Sequence, residues 1–349
     1  MRTISNKHNL PEPLVLAATT DNHWFPTGSD ISVTTLIDAP RKRLLKKQLG
    51  DYTEDVANLM PSLLGTALHH LLELANIPEL KRRAFLTVVN TLRDIAEEEE
   101  DITEASKIQA GAKWLFYMME KYFPELAGRY LFEVRMTLEV SGWQLTGTLD
   151  IYDKLTKRVQ DYKTTSVYTF MNPDSVKKWT AQVNVYTHML RKSGYEVEGA
   201  DIIAIFRDYS KAKRLSNKAY PPEPTMSIEQ QLFSPEVMAE YINKRIKLHK
   251  DAEETGDIPD CTPSERWAVA GSFAAMVPTS TKAKKANLGD RDIAERWIKE
   301  NKHKFPGLYL EQRDADYGRF CKEYCLVKDI CPQKKRLEAE QLKISPATT

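Results

Sequence analysis

The sequence predicts an α/β protein: a small mixed sheet flanked by helices. Three observations carry this. Helical patterning dominates from Met60 to about 120. At Tyr130 it gives way to period-two alternation, with strand-length segments over 131–140, 143–150 and 158–163. A helical stretch over about 174–191 then precedes a fourth strand at 201–207. Helix, three strands, helix, strand is the order of a layered α/β core.

The elements follow from local chemistry. The first 30 residues are polar and turn-rich, ending in Thr27-Gly28-Ser29-Asp30, and are expected to lie across the surface. A helix starts near Ser32 behind a hydroxyl or Asp cap and carries the basic run Arg41 to Lys47, which reads as a solvated face. From Met60 to Glu73, Pro61 suits a first helical turn and the leucine spacing suits a buried helix. Residues 79–120 continue as helix, interrupted by the acidic run Glu97 to Asp101, read as a solvent-facing helix end. Ser141-Gly142 turns one strand into the next. Asp174 or Ser175 can cap the helix that Gly194 ends. Beyond Arg207 the chain is basic and loop-like to Lys218, then proline-rich, then helical from Pro235 to about Glu254. Residues 258–349 read as short helices, loops and cysteines. The chain divides into an N-terminal extension with the basic helix (1–59), a core (60–210) and a helical C-terminal region with the cysteines (211–349).

Composition excludes several classes. At 349 residues, 42% hydrophobic, 28% charged and net charge +1, the chain is not dominated by disorder. No run approaches the ~20 apolar residues of a membrane-spanning helix. The N-terminal MRTISNKHNLPEPL lacks an apolar core of signal-peptide length, so a cytoplasmic protein with no membrane partner is expected. Balanced charge leaves any nucleic-acid contact to local patches.

The informative residues lie on the strands. Alternation puts Asp150 on one face with Thr148, Thr146 and Gln144, opposite Trp143, Leu145, Gly147 and Leu149. Asp161 and Lys163 share a face on the next strand, so two carboxylates and an ammonium can converge. Asp153 falls on the other face. A hard divalent cation such as Mg²⁺ takes one or two carboxylates plus substrate phosphate, and a nearby lysine stabilises developing negative charge. Gln182 and Tyr186 lie four apart on the following helix. Gly65, His69 and Glu73 form one stripe of an earlier helix, where a glycine lets a neighbour approach and a histidine can ligate metal. Taken singly, each has an ordinary reading: a core histidine, a surface Gln–Tyr hydrogen bond, an exposed strand Asp-x-Lys.

Taken together, Gly65-x3-His69, Gly147-x2-Asp150, Asp161-Tyr162-Lys163-Thr164 and Gln182-x3-Tyr186 resemble the RecB-like branch of the PD-(D/E)xK nuclease superfamily over about 60–210. The resemblance implies a restriction-endonuclease-like core and a Mg- or Mn-dependent DNA phosphodiesterase. It implies His69, Asp150, Asp161 and the Tyr162 carbonyl as metal ligands, and Lys163 as the catalytic lysine. Gln182 and Tyr186 would position that lysine or the DNA strand. Glu133 matches an acidic position of this branch, with Glu139 as its competitor, and Glu73 can support His69 from behind. The expected function is an exonuclease on DNA ends or single strands, in recombination, repair or phage DNA processing, with a recombination or helicase partner. No Gly-x4-Gly-Lys-[Ser/Thr] motif is present. The alternative is a non-catalytic nucleic-acid-binding or interaction protein that keeps the fold.

Cys261, Cys321, Cys325 and Cys331 give four soft ligands in a one-plus-three arrangement. Several RecB-like nucleases carry a [4Fe–4S] cluster on one distant and three close cysteines. Here the distant cysteine follows the core instead of preceding it, and the first close spacing is x3 rather than x2. A [4Fe–4S] cluster is favoured, then zinc, then free buried thiols. The group would staple a ~60-residue loop. Phosphate contacts would come from Arg41–Lys47, Arg207–Lys218 and Lys282–Lys285. Base stacking would come from Trp24, Phe25, Tyr168, Phe170 or Trp179.

Overall fold

The computed structural model describes residues 2–20, 28–75, 77–99, 102–122 and 130–344, without the side chains of 70, 72–86, 116, 119–122 and 342–344. In chain order the elements are β1 (Arg2–Ser5), α1 (Glu12–Thr19), β2 (Ile31–Ser32), α2 (Val33–Leu36), α3 (Pro40–Gln48), β3 (Tyr52–Asp55), α4 (Met60–Ala75), α5 (Ile77–Glu98), α6 (Ile102–Tyr122), β4 (Tyr130–Val140), β5 (Trp143–Asp153) and β6 (Arg158–Thr165). There follow α7 (Val167–Met171), α8 (Pro173–Lys192), β7 (Gly199–Phe206), α9 (Lys211–Ser216), β8 (Thr225–Glu229), α10 (Pro235–Thr255), α11 (Pro263–Arg266), β9 (Ser272–Met276), β10 (Lys285–Leu288), α12 (Arg291–Asn301), β11 (Tyr309–Arg313) and α13 (Pro332–Ile344).

The chain forms two compact units, Met1–Ile37 with Asp51–Leu248, and Asp38–Gly50 with His249–Thr349. They cut the chain at other points than the sequence divisions after 59 and 210. Side-chain chemistry explains part of this. The basic run on α3 is solvated only at Lys46 and Lys47. Arg41 is buried, donates to the Pro259 carbonyl at 3.1 Å and pairs with Asp260 at 2.9 Å, while Arg43 and Lys47 both pair with Glu253. These partners tie α3 to residues two hundred positions later in the same unit.

The first unit is built on a six-stranded mixed sheet of order β2-β5-β6-β7-β8, with β4 on β5. β4–β5, β5–β6 and β7–β8 are antiparallel; β2–β5 and β6–β7 are parallel. The sheet and the flanking helices make this the restriction-endonuclease-like α/β core. Leu145, Leu149, Val159 and Ile202 are fully buried, packed with Val183, Met189 and Leu190 of α8 and Ile242 and Ile246 of α10. Between the sheet and α8, close approach depends on one missing side chain. A Cβ on Gly147 would meet the Tyr186 ring and a Val33 methyl, each at 2.8 Å. Burying apolar surface at about 25 cal/mol per Å² is what holds α8 in place.

Several details differ from the sequence reading. The N-terminal segment contains β1 and α1 rather than only surface loop. Asn172, not Asp174 or Ser175, caps α8, its side chain accepting from the Asp174 amide at 3.0 Å. α4 is not a buried helix: Leu64 and Leu71 are 55% and 61% exposed. β8 escaped notice because it is five residues long with exposed Thr225, Ser227 and Glu229. The second unit holds a three-stranded antiparallel sheet, β10-β9-β11, where only helices and loops were expected. Its strands, Ser-Phe-Ala-Ala-Met and Lys-Ala-Asn-Leu among them, lack β-branched residues, so propensity gives no signal.

Gly147→Ala should destabilise the protein by about 1–3 kcal/mol, the usual cost of overpacking a tight site. Urea unfolding of the variant beside wild type checks this, and an unchanged midpoint would refute the close approach.

Candidate active site

The site is made by a gap in strand pairing. β4 occupies one edge of β5 along its whole length, from Tyr130↔Asp153 to Val140↔Trp143. The other edge pairs twice. β2 binds at Leu145 and Thr146, and β6 binds from Ile151 to Asp153. Between them, Gly147–Asp150 has no strand partner on this edge among the described residues. Here β6 leaves β5 but stays paired to β7 as far as Thr165. The β5–β6 register ends at Ile151↔Gln160, so Asp150 and Asp161, the next residue on each strand, are not a ladder pair. Instead of a ladder bond, the Tyr162 amide donates to the Asp150 carboxylate at 2.7 Å.

Three donors meet at this gap. His69 Nδ1 from α4 lies 3.7 Å from both Glu133 Oε1 on β4 and Asp150 Oδ1 on β5. Among the described residues, only these three His, Cys, Asp or Glu side chains bring ligand atoms within 4.8 Å of one another. The His69 and Tyr162 rings meet edge to face with centroids 6.3 Å apart. Glu133 is left out of the β4–β5 register, between Phe132↔Ile151 and Val134↔Leu149, and has φ +48°, left-handed for a residue with a side chain. Such strain costs about 1–3 kcal/mol and is held only where the surroundings over-determine it. Glu133 is thus a direct member of the group, whereas the sequence placed it only at the margin. Glu139 pairs with Gln144 at the far end of the strands, away from the gap.

Asp161 is outside this closest trio. It is buried, and its Oδ2 lies 2.6 Å from Lys163 Nζ as an ion pair, but accepts no aligned hydrogen bond among the described residues. On α8, Gln182 Nε2 donates to the Tyr186 hydroxyl at 3.1 Å. Electrostatics link the set. Burial, then the Asp161 charge, push Asp150 up to about 7. His69 is raised chiefly by its contact with Glu133, against the opposing effect of burial. Tyr186 is raised by burial and by the carboxylates of Asp161, Asp150 and Glu133, so its hydroxyl stays protonated. The pocket carries more negative charge than its own lysine and histidine balance. With an incompletely bonded carboxylate oxygen and hard oxygen donors, it fits a divalent cation of the Mg²⁺ or Mn²⁺ kind.

Other expected contributors separate cleanly. The side chain of Glu73 lies outside the described residues, as do Trp24 and Phe25. Among the described residues nothing approaches a Cβ on Gly65 within 4 Å, so none of them needs this glycine for its approach. Asp153 is buried and caps the β5–β6 turn, accepting from Leu155 N at 3.0 Å and the Thr156 hydroxyl at 2.8 Å. Trp179 belongs to the core, and Phe170 packs on Phe206 with centroids 5.3 Å apart. Tyr168 stands 77% exposed.

In the second unit all four cysteines are buried and free. Gln333 clamps Cys261 from both sides, accepting from its amide and donating to its carbonyl, each at 2.8 Å. Burial pushes the Cys261 thiol up to about 12, and Cys321 and Cys325 upward as well. Cys261 feels Cys321, and Cys321 feels Cys325 and Cys331, while Lys42 favours the thiolates of the first three. Buried thiols that disfavour ionisation, gathered beside a cation, are a donor set that a soft metal can discharge.

A mixed sheet with carboxylates and a lysine at a strand gap defines a restriction-endonuclease-like protein. A family model described as the PD-(D/E)XK nuclease superfamily matches residues 31–332, and the chain belongs to that superfamily. Membership makes it in general terms a metal-dependent nuclease, with nucleic acid as substrate. No curated protein matches the sequence significantly. A solved structure titled "Crystal structure of SSO0001" is similar at 12% identity and TM-score 0.35, over 68% of this chain and 85% of its own. That likeness is too slight to bear on function. No described helix is long and apolar enough to cross a membrane.

The electrostatics set a pH dependence. Asp150 holds its proton to about pH 7 in the folded chain but only to about 3.9 when unfolded. Between these values the folded state binds more protons, so stability falls as pH rises. His69, raised from its ordinary value, loses its contribution in the same direction as pH rises through its folded pKa. Without divalent metal, Tm should fall from pH 5 to 8 more steeply for wild type than for Asp150→Asn. Added Mn²⁺ at pH 8 should raise the wild-type Tm. Parallel curves, or no response to Mn²⁺, would refute the charge imbalance.

Proposed function

We propose that the chain is a Mg²⁺- or Mn²⁺-dependent DNA nuclease of the RecB-like branch, acting as an exonuclease on ends or single strands. Its setting would be recombination, repair or phage DNA processing, with unwinding left to a partner. The observation that carries this reading is the Asp150 carboxylate held at the strand gap by the amide of Tyr162, which lies between Asp161 and Lys163 in sequence, with Lys163 Nζ 2.6 Å from Asp161. His69, Glu133, Asp150, Asp161 and the Tyr162 carbonyl would hold the cation. When bound, the ion supplies Lewis acidity toward phosphate and a water of lowered pKa.

The protein's own groups have defined tasks. Asp161 anchors Lys163 in an ion pair at the strand gap, where the ammonium can meet a phosphate oxygen as negative charge develops. The Tyr162 amide fixes the Asp150 carboxylate in one orientation. Tyr186 keeps its proton and Gln182 donates to its oxygen, which leaves the phenolic hydrogen free to turn toward the carboxylates. For the four cysteines we favour a [4Fe–4S] cluster over zinc. Four buried cysteine thiols are a donor set such clusters use.

End-labelled single- and double-stranded oligonucleotides, beside linear and circular duplexes, test the activity with Mg²⁺ or Mn²⁺. Asp161→Ala and Lys163→Ala should each lose about 10²–10⁴-fold in cleavage rate while binding survives. Cleavage near wild-type rate would overturn the assignment, and cleavage of circular DNA would replace exonuclease by endonuclease. Anaerobically purified protein should be brown with about four irons per chain. A colourless protein carrying one zinc would retire the cluster.

A further inference from the structure

We infer that Arg207–Lys218, together with Tyr168, forms the track along which a single DNA strand is led to the strand gap. The inference rests on the nuclease reading and deepens it by naming the form of substrate the site receives.

The argument starts from the basic runs. Of the five cations in the first run, on α3, four are spent on Asp38, Asp260 and Glu253, leaving Lys46. The run after β7 is different. Residues 207–218 hold five cations against one carboxylate, Asp208. That carboxylate is engaged, accepting from the Val167 amide at 2.8 Å. Arg207, Lys211, Lys213 and Lys218 are exposed, and none forms an ion pair among the described residues. A cluster of unspent cations on a protein of net charge +1 marks a surface for phosphate.

The segment is built, not loose. Ser210 caps α9, accepting from the Lys213 amide, and Asn217 closes it. The Tyr220 hydroxyl accepts from Ser210 N at 3.0 Å and donates to the Asp208 carbonyl at 3.2 Å. The rings of Tyr209 and Tyr220 meet with centroids 5.6 Å apart. The cations are therefore presented by a fixed scaffold, which lowers the entropic cost of ordering them on a ligand.

Its place in the fold makes it a path to the site. Arg207 N donates to the Thr165 carbonyl at 3.0 Å, at the end of the strand that carries Asp161 and Lys163. Lys163 is only two residues, about 7 Å of strand, from Thr165. Tyr168 emerges from α7 at this same end, three residues past Thr165, with most of its ring in solvent. An exposed aromatic beside unpaired cations is the arrangement that binds single strands: bases stack on the ring while phosphates follow the charges. A duplex keeps its bases stacked on one another and has no use for the ring.

The test uses the full chain carrying Asp161→Asn, so that binding is read without cleavage, and fluorescein-labelled 20-mers, single-stranded or blunt duplex. On that background Tyr168→Ala should weaken the single strand by about fivefold or more and the duplex by less than twofold, with Tyr168→Phe restoring binding. Lys211→Ala/Lys213→Ala/Lys218→Ala should lower the slope of log K against log salt by about 2 for the single strand. Tyr168 is exposed, so an unchanged melting temperature separates lost contact from lost fold. A single-strand affinity within twofold of the parent after Tyr168→Ala, equal losses on both DNAs, or an unchanged salt slope would each overturn the track. Cleavage by the otherwise wild-type chain is measured separately. Absent cleavage with intact strand binding would sink the nuclease reading alone; cleavage with binding indifferent to these changes would sink the track alone.

Discussion

The controlling constraint is electrostatic: Asp150 is largely buried at the strand gap, with the Asp161 charge close by, and both effects work against its ionisation. Like charges in low dielectric repel strongly. The protein meets this with partial measures. One carboxylate receives a backbone amide, one a lysine and one a histidine, and Asp150 still retains its proton to about pH 7. The residual imbalance suits the pocket to a divalent cation.

The gap follows from how β5 is shared. If β6 paired with β5 along its length, the Tyr162 amide would join the ladder and Asp150 would lose its anchor. If β2 were longer, it would fill the edge between Thr146 and Ile151. A two-residue β2 and a diverging β6 leave four residues of open strand. Gly147 lies in that opening, and its missing side chain lets Tyr186 of α8 come down onto the sheet. Two motifs far apart in sequence are thus one piece of packing.

Much of this could be read from the residues, and what could not has physical causes. The strands over 130–165 and the helix ending near Arg191 rest on periodicity, and the shared faces of Asp150, Asp161 and Lys163 on strand alternation, which local sequence carries; His69 was placed beside them by family resemblance alone. Glu133 was underrated because its position depends on a left-handed backbone that no propensity signals. The α3 charges were misread because their partners lie two hundred residues away. β8 and the small sheet of the second unit are short, polar or alanine-rich, and form only because neighbouring strands offer hydrogen bonds.

The pairing of Ile31 with Leu145 joins segments more than a hundred residues apart. Contacts so distant in sequence form late, after the loop between them has been closed. Val33, which follows this pairing, packs against Gly147 beside Tyr186, so the wall of the pocket is finished only when the two ends of this span and α8 have come together. An emerging or partly unfolded chain therefore holds the reactive groups scattered, and a molecule able to damage nucleic acid stays harmless until its assembly is complete.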